Sequence, residues 1–278
     1  MRRDVRLTPA NARVADAQLR GQVDAPRHVA GVPRRASVPL VDLCRTPGGA
    51  RDRQLQLGEA VTLYEVHEGS AFVACARDGY VGYVPAESLG AGRVTHRVAA
   101  RATHLYPVPD LKRREIAALG HGALVEVVAR HGRFAETPGG YLPLTHLVPA
   151  AQRWTDPVAV AELYLGTPYL WGGNSVFGVD CSGLVQAGCL ACGLPCPGDS
   201  DQQAEMPGKA LSGSEPLRRG DLLFWAGHVA WVAAPDLLLH ANAHAMAVSF
   251  EPLADAIARI DAQGDGPVTV RRRLPLAG

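Results

Sequence analysis

The chain lacks any long hydrophobic run. None of its 278 residues falls in a stretch approaching the ~18 consecutive apolar residues of a membrane span, so no membrane role is expected. It also lacks an excess of either charge. With 28 Lys and Arg against 27 Asp and Glu, nothing electrostatic points to nucleic acid or an anionic membrane. The short basic runs Lys112-Arg113-Arg114 and Arg271-Arg272-Arg273 read as solvated faces. The N-terminus starts basic, at Met1-Arg2-Arg3, but lacks the ~7–15-residue apolar core of a secretory leader. Asp16, Gln18 and Arg20 interrupt the nearest stretch, and the expectation is a cytoplasmic protein. Cysteine is sparse, with six in all, four of them between Cys181 and Cys196. Cys189-x-x-Cys192 has no second ligand pair at metal spacing, so these read as structural thiols in a reducing compartment. No metal and no cofactor is expected.

What the chain does have is a run of unusual density, Asp180-Cys181-Ser182-Gly183-Leu184-Val185-Gln186, after the turn Tyr169-Leu170-Trp171-Gly172-Gly173-Asn174. Leu184, Val185 and Leu190 give the apolar period of a helix that begins at Cys181 and stops at Gly193. A thiol at a helix start faces unpaired amides and the positive end of the dipole, which favours the nucleophilic thiolate. Downstream, Gly220 to Val232 reads as two short strands joined at Ala226-Gly227, with His228, Ala230 and Val232 on one face. Leu237 to Ala241 reads as the next strand and carries His240. Antiparallel neighbours would bring His228 and His240 side by side, supplying a base and an orienter for a cysteine nucleophile.

These residues resemble the NlpC/p60 family of cell-wall peptidases. The resemblance covers roughly residues 155–278. It rests on Tyr169-x-Trp171-Gly172-Gly173, Asp180-Cys181-Ser182-Gly183, Gly220-Asp221-Leu222, Gly227-His228-Val229 and Leu239-His240. It implies an α+β, papain-like core in which a helix bearing the cysteine packs on an antiparallel sheet bearing the histidines. Carried over, Cys181 is the nucleophile, His228 the base and His240 the orienter, with His244 a competitor for the last role. Tyr169 lies near the developing oxyanion, and Asp180 and Ser182 join it in the substrate-binding set.

The first ~150 residues carry short alternating runs with Gly and Pro turns, a pattern of small β-barrels. A weak repeat matches Gly58-Glu59-Ala60-Val61 to Gly122-Ala123-Leu124-Val125, Phe72 to Phe134, and Tyr83-Val84-Pro85 to Tyr141-Leu142-Pro143. The expected layout is an N-terminal arm (1–32) packing on the barrels, two SH3-like barrels (33–92 and 93–150) and a catalytic domain (151–278). The barrels resemble bacterial SH3b domains. Thr155-Asp156-Pro157 caps a first helix running to about Leu165. Tyr83 and Tyr141, being equivalent, read as structural. Tyr80 has no counterpart in the second copy and reads as an exposed loop aromatic suited to recognition.

Within the family the layout resembles γ-D-glutamyl-L-diamino acid endopeptidases. That likeness implies that Asp199, Ser200 and Tyr80 hold the free α-amine of an N-terminal L-Ala. The partner is then a murein-derived peptide, L-Ala-γ-D-Glu-diamino acid, met during recycling. Gly198 departs from that subgroup, which carries a basic residue there. The identity of the diamino acid stays open. So do three other readings: a hydrolase of intact wall, a non-catalytic wall-binding protein, and an acyltransferase or amidase with the same Cys-His chemistry.

Overall fold

The computed structural model describes residues 3–275. The chain divides into two compact units, residues 1–151 and 152–278. Among the described residues no helix is long and apolar enough to cross a membrane.

In the first unit, a parallel strand pair (Val14–Asp16 with Arg27–Val29) belongs to the N-terminal segment. Arg13 and Arg27 both donate to Glu65, at 2.8 and 2.6 Å, and so tie that segment to the strand Ala60–His67. A seven-stranded sheet then runs from Val32 to Gly90 around Leu43, Leu55, Val61, Val73 and Val84. Residues 96–149 form smaller sheets around Val98, Leu119, Ala135 and Leu142.

The two β-structures share backbone bonds. Ala36 N–H donates to Glu59 O at 3.0 Å, as Val98 N–H does to Ala123 O at 2.8 Å. Ser37 bonds Ser88 O and Ala99 bonds His146 O, each at 2.8 Å. Ala86 bonds Gly69 O at 2.8 Å and Leu144 bonds Arg133 O at 2.9 Å. Gly58 and Gly122 both take positive φ, +80° and +89°, at equivalent turns. A Cβ on Gly58 would also lie 2.3 Å from the carbonyl oxygen of Leu124, so only glycine fits this close approach.

Two expectations change in this unit. Phe134 pairs with Pro143, whereas Pro85 pairs with Ser70 and Phe72 with Tyr83. Phe134 therefore stands where the first copy has Ser70, two residues from the expected match. The aromatic contacts differ accordingly: Phe72 packs on Tyr83 at 5.1 Å between centroids, and Phe134 meets Tyr106 edge-on at 6.0 Å. Tyr80 is not an exposed loop aromatic either. Cys75 N–H donates to Tyr80 O, Gly79 N–H to Cys75 O and Tyr80 N–H to Asp78 Oδ1. This tight turn returns the ring to the barrel core, where it is 3% exposed.

The second unit opens with α1 (Pro157–Glu162), whose first amides, Val158 and Ala159, donate to the Asp156 carboxylate. It ends before Leu165 because Leu163, Tyr164 and Leu165 bond three residues back, tightening the chain toward Gly166. A hairpin of β1 (Asn174–Ser175) and β2 (Gly178–Val179) precedes α2 (Cys181–Ala191) and α3 (Ser200–Gln203). The strands β3 (Lys209–Ala210), β4 (Asp221–Trp225), β5 (His228–Ala234), β6 (Leu237–Asn242), β7 (Ala247–Pro252) and β8 (Val270–Arg273) follow, with α4 (Leu253–Ala262) before β8. They form one antiparallel sheet in the order β3-β8-β4-β5-β6-β7.

Helix α2 packs against β5 and β6. Gly188 makes the approach possible, since a Cβ there would sit 2.6 Å from Pro157 O and 3.2 Å from the Trp231 ring. Helix α4 covers Leu223, Ala230, Val232 and Leu238 with Ala256 and Ile260. The Gly220-Asp221-Leu222 motif is a clamp. Asp221, 1% exposed, accepts two bonds from Arg273 of the neighbouring strand, both 2.8 Å, and one from Arg218 N–H.

Candidate active site

Cys181 is buried as the first residue of α2, and Asp180 fixes that helix start. The Asp180 carboxylate accepts Gly183 N–H at 2.6 Å and Ser182 Oγ–H at 3.1 Å on one oxygen, and Gly172 N–H at 2.9 Å on the other. One buried anion thus binds the glycine turn to the helix that carries the thiol. A Cβ on Gly183 would lie 2.4 Å from Gly173 O, so the contact requires a residue without a side chain. Asp180 and Ser182, the residues expected beside Tyr169 in the substrate-binding set, both take part in this cap. Tyr169 is held by its N–H to Met246 O at 2.9 Å. Burial raises its phenol, and the charges of Cys181 and Asp180 raise it further, which places the ring in the electrostatic field of the thiol. Tyr169 is therefore a neutral hydrogen-bond donor at neutral pH.

The histidines meet as the strand pattern implies. His228 Nε2 lies 2.9 Å from His240 Nδ1. Trp231 pairs with Leu239, so His240 faces Ala230 and sits diagonally from His228 on the same side of the sheet. His244 lies exposed in the turn after β6, and His240 is the neighbour of His228. Burial lowers His228 to about 3, aided by His240 and Arg259 and opposed by Glu251. Burial lowers His240 to about 4, with Glu251 again opposing. Both rings are neutral at neutral pH, the state in which an imidazole accepts a proton.

Two residues escaped the sequence reading. Glu251 of β7 accepts from His240 Nε2 at 2.9 Å, and Arg259 of α4 holds Glu251 through two bonds of 2.8 Å. The Arg259 contact keeps the Glu251 carboxyl below the usual range. The available signal was weak: an i, i+8 Glu-Arg spacing across a strand-helix junction.

Asp199 occupies the N-cap position of α3, with no capping hydrogen bond from its side chain, and Ser200 begins the helix. Gln203 ties α3 to the nucleophile helix, donating from Nε2 to Ser182 O at 2.9 Å and to Pro197 O at 3.0 Å. Of the other thiols, Cys189 is raised well above its ordinary value by a hydrogen bond with Cys196 and by burial, and Cys192 is raised to about 11, chiefly by burial. Neither is a competing nucleophile.

The NlpC/P60 family model matches residues 166–259, and the model described as bacterial dipeptidyl-peptidase Sh3 domain matches residues 43–89. Two curated relatives are named gamma-D-glutamyl-L-lysine dipeptidyl-peptidase. That of Bacillus subtilis (strain 168) is 42% identical over 71 residues, 26% of this chain and 23% of the relative. That of Bacillus cereus (strain ATCC 10987 / NRS 248) is 34% identical over 106 residues, 35% of this chain and 31% of the relative. The chain thus spans less than a third of the length of these relatives. The crystal structure of an NlpC/P60 family protein from Bacillus cereus ATCC 10987 shares the fold. Its TM-score is 0.73 at 19% identity, covering 87% of this chain and 99% of that one.

Proposed function

Because the chain carries an NlpC/P60 peptidase-family domain behind a bacterial SH3 domain, we propose that it is a cysteine endopeptidase that cuts the γ-D-Glu–diamino acid bond of murein peptides with a free N-terminal L-Ala. The observation that carries this reading is a buried thiol at a capped helix start, on a helix packed against strands holding two neutral histidines 2.9 Å apart. In this reading His228 takes the Cys181 proton as Sγ attacks the γ-carbonyl carbon of D-Glu. The Tyr169 hydroxyl donates toward the developing oxyanion. His228 then returns the proton to the departing amine, leaving a thioester on Cys181. Water, deprotonated by the same ring, releases the dipeptide acid and restores the thiol.

Specificity is assigned to α3. Asp199 supplies an anion and Ser200 a hydroxyl for the substrate's ammonium group. The relatives' names support the choice of bond, since they specify a γ-D-glutamyl-L-lysine linkage and removal of a dipeptide. The reaction is proposed to take place in the cytoplasm on peptides already freed from sugar; cell fractionation with an antibody to the chain tests that location.

The substrate test compares L-Ala-γ-D-Glu-meso-diaminopimelate, the L-Lys analogue, both in N-acetylated form, and intact sacculi. Release of L-Ala-γ-D-Glu from the free peptides, with acetylated peptides and sacculi poor, is the expected result. Asp199→Ala should depress cleavage of the free-amine peptide and leave the acetylated one nearly unchanged, because only the first presents the charge that Asp199 meets. Equal cleavage of free and acetylated peptides by the wild type would overturn the free-amine assignment.

A further inference from the structure

We propose that Glu251, restrained by Arg259, is a positioning residue that sets the order of protons along the pair of histidines and so makes Nδ1 of His228 the basic nitrogen. This rests on the peptidase reading for its catalytic consequence. It rests on geometry alone for the proton order.

The argument follows hydrogen-bond roles. An ionised carboxylate only accepts. Glu251 Oε2 lies 2.9 Å from His240 Nε2, so that nitrogen carries the hydrogen. A neutral His240 then has a lone pair on Nδ1, the atom 2.9 Å from His228 Nε2. His228 must donate from Nε2, and its remaining nitrogen, Nδ1, is left with the lone pair. Without an obligate acceptor at the far end, the opposite order would satisfy the His-His bond equally well, and His228 Nδ1 would carry a proton and be useless as a base. Arg259 keeps the carboxylate ionised and its oxygens oriented, through bonds from Nε to Oε1 and Nη2 to Oε2.

The charges around His228 are few. His240 comes from β6, Glu251 from β7 and Arg259 from α4. Cys181 and its capping Asp180, at the start of α2, act on Tyr169. On β4, the neighbour of β5, the facing group is the uncharged Trp225 ring. On α4, Asp265 just past the helix acts on Arg259. Glu251 favours a proton on His228 and Arg259 opposes it, so removing one or the other should push the base in opposite directions.

Two measurements on the full chain test this. The first is ¹⁵N NMR of the imidazoles in the wild type at neutral pH. Protonated Nε2 and unprotonated Nδ1 on both His228 and His240 are expected, and a proton on Nδ1 of His228 overturns the proposal whether or not any variant folds. The second is the pH profile of peptide cleavage. Glu251→Gln should lower kcat by roughly 10- to 100-fold, less than the ~10⁴-fold seen where the orienting carboxylate touches the base directly. KM should change little, and the acid limb of kcat/KM should move to lower pH. Arg259→Met should move that limb to higher pH. Limbs that stay in place, or that move in the same direction, refute the role. If the wild type cleaves none of the peptides, the proposed function fails while the NMR result still decides the proton order.

Discussion

Asp180→Asn offers a demanding test of how the helix start is built. The substitution keeps the shape and removes the charge. One oxygen of Asp180 serves Gly183 and Ser182 while the other serves Gly172, and the side chain is 7% exposed. An amide has a single oxygen. Whichever way it turns, its NH₂ faces a buried backbone N–H, and that group loses its acceptor at a cost of about 1–3 kcal/mol. Loss of an anion at a helix N-terminus adds about 0.3–1 kcal/mol. The total is about 1–4 kcal/mol, and Asp180→Ala, which loses the cap as well, should reach the top of that range. The four tryptophans, Trp154, Trp171, Trp225 and Trp231, all lie in the second unit, so urea unfolding followed by tryptophan fluorescence reads that unit alone. With a urea slope of about 2 kcal/mol/M, the Asn variant's midpoint should fall by roughly 0.6–2 M. A change below about 0.5 kcal/mol, the size of an ordinary surface substitution, would refute the reasoning.

Cys181→Ala should abolish peptide cleavage with the fold retained, and a stoichiometric alkylating agent should label Cys181 before Cys189 or Cys192; peptide mapping showing the reverse order with activity lost only slowly would contradict the assignment. His228→Ala should cost roughly 10²–10⁴-fold in rate, more than His240→Ala, because only the former exchanges a proton with substrate; steady-state rates in which the order is inverted would remove His228 as base. The second unit should lose stability as pH falls from about 6.5 toward 4. His228 and His240 are held neutral at about 3 and about 4, so below the unfolded value the unfolded chain binds more protons. At pH 5 this amounts to about 2 kcal/mol per histidine, and urea midpoints that fall as steeply in His240→Ala as in the wild type would count against it. Asp221→Asn should cost about 2–3 kcal/mol, since it removes the charge and one of the two oxygens that Arg273 bonds, leaving that partly buried guanidinium its Pro216 carbonyl, and disturbs the Arg218 amide; an unchanged unfolding midpoint would show the clamp to be decorative.

The parts of this structure that were legible in sequence are those whose causes are local. Asp180, Cys181 and Gly193 are start and stop signals lying next to the turns they control. The alternation through His228 and His240 needs only a short strand, a turn at Pro235-Asp236 and an antiparallel return. Glu251 was not legible, because its meaning depends on the register of β6 and β7, where Leu238 and not His240 is its direct partner. Tyr80 misled for a related reason. A Gly beside a tyrosine signals a turn but does not say whether the ring leaves the sheet or folds back on it, and three hydrogen bonds decided the matter. The Phe72–Phe134 match failed because side chains were aligned where only the backbone repeats.

That last point bears on how much change the first unit tolerates. The bonds its two β-structures share run from main chain to main chain, so substitution leaves them untouched except where proline removes a donor or a left-handed turn demands glycine. Gly58 and Gly122 are therefore fixed points, while the surfaces between them are free to drift. The drift is already visible: Glu65 in the first copy is recruited by two arginines of the N-terminal segment. The freedom stops where the two β-structures meet: Leu124 N–H donates to Leu57 O and Gln56 Nε2 to His121 O, so change on the outer faces is cheap and change along that seam must satisfy both sides at once.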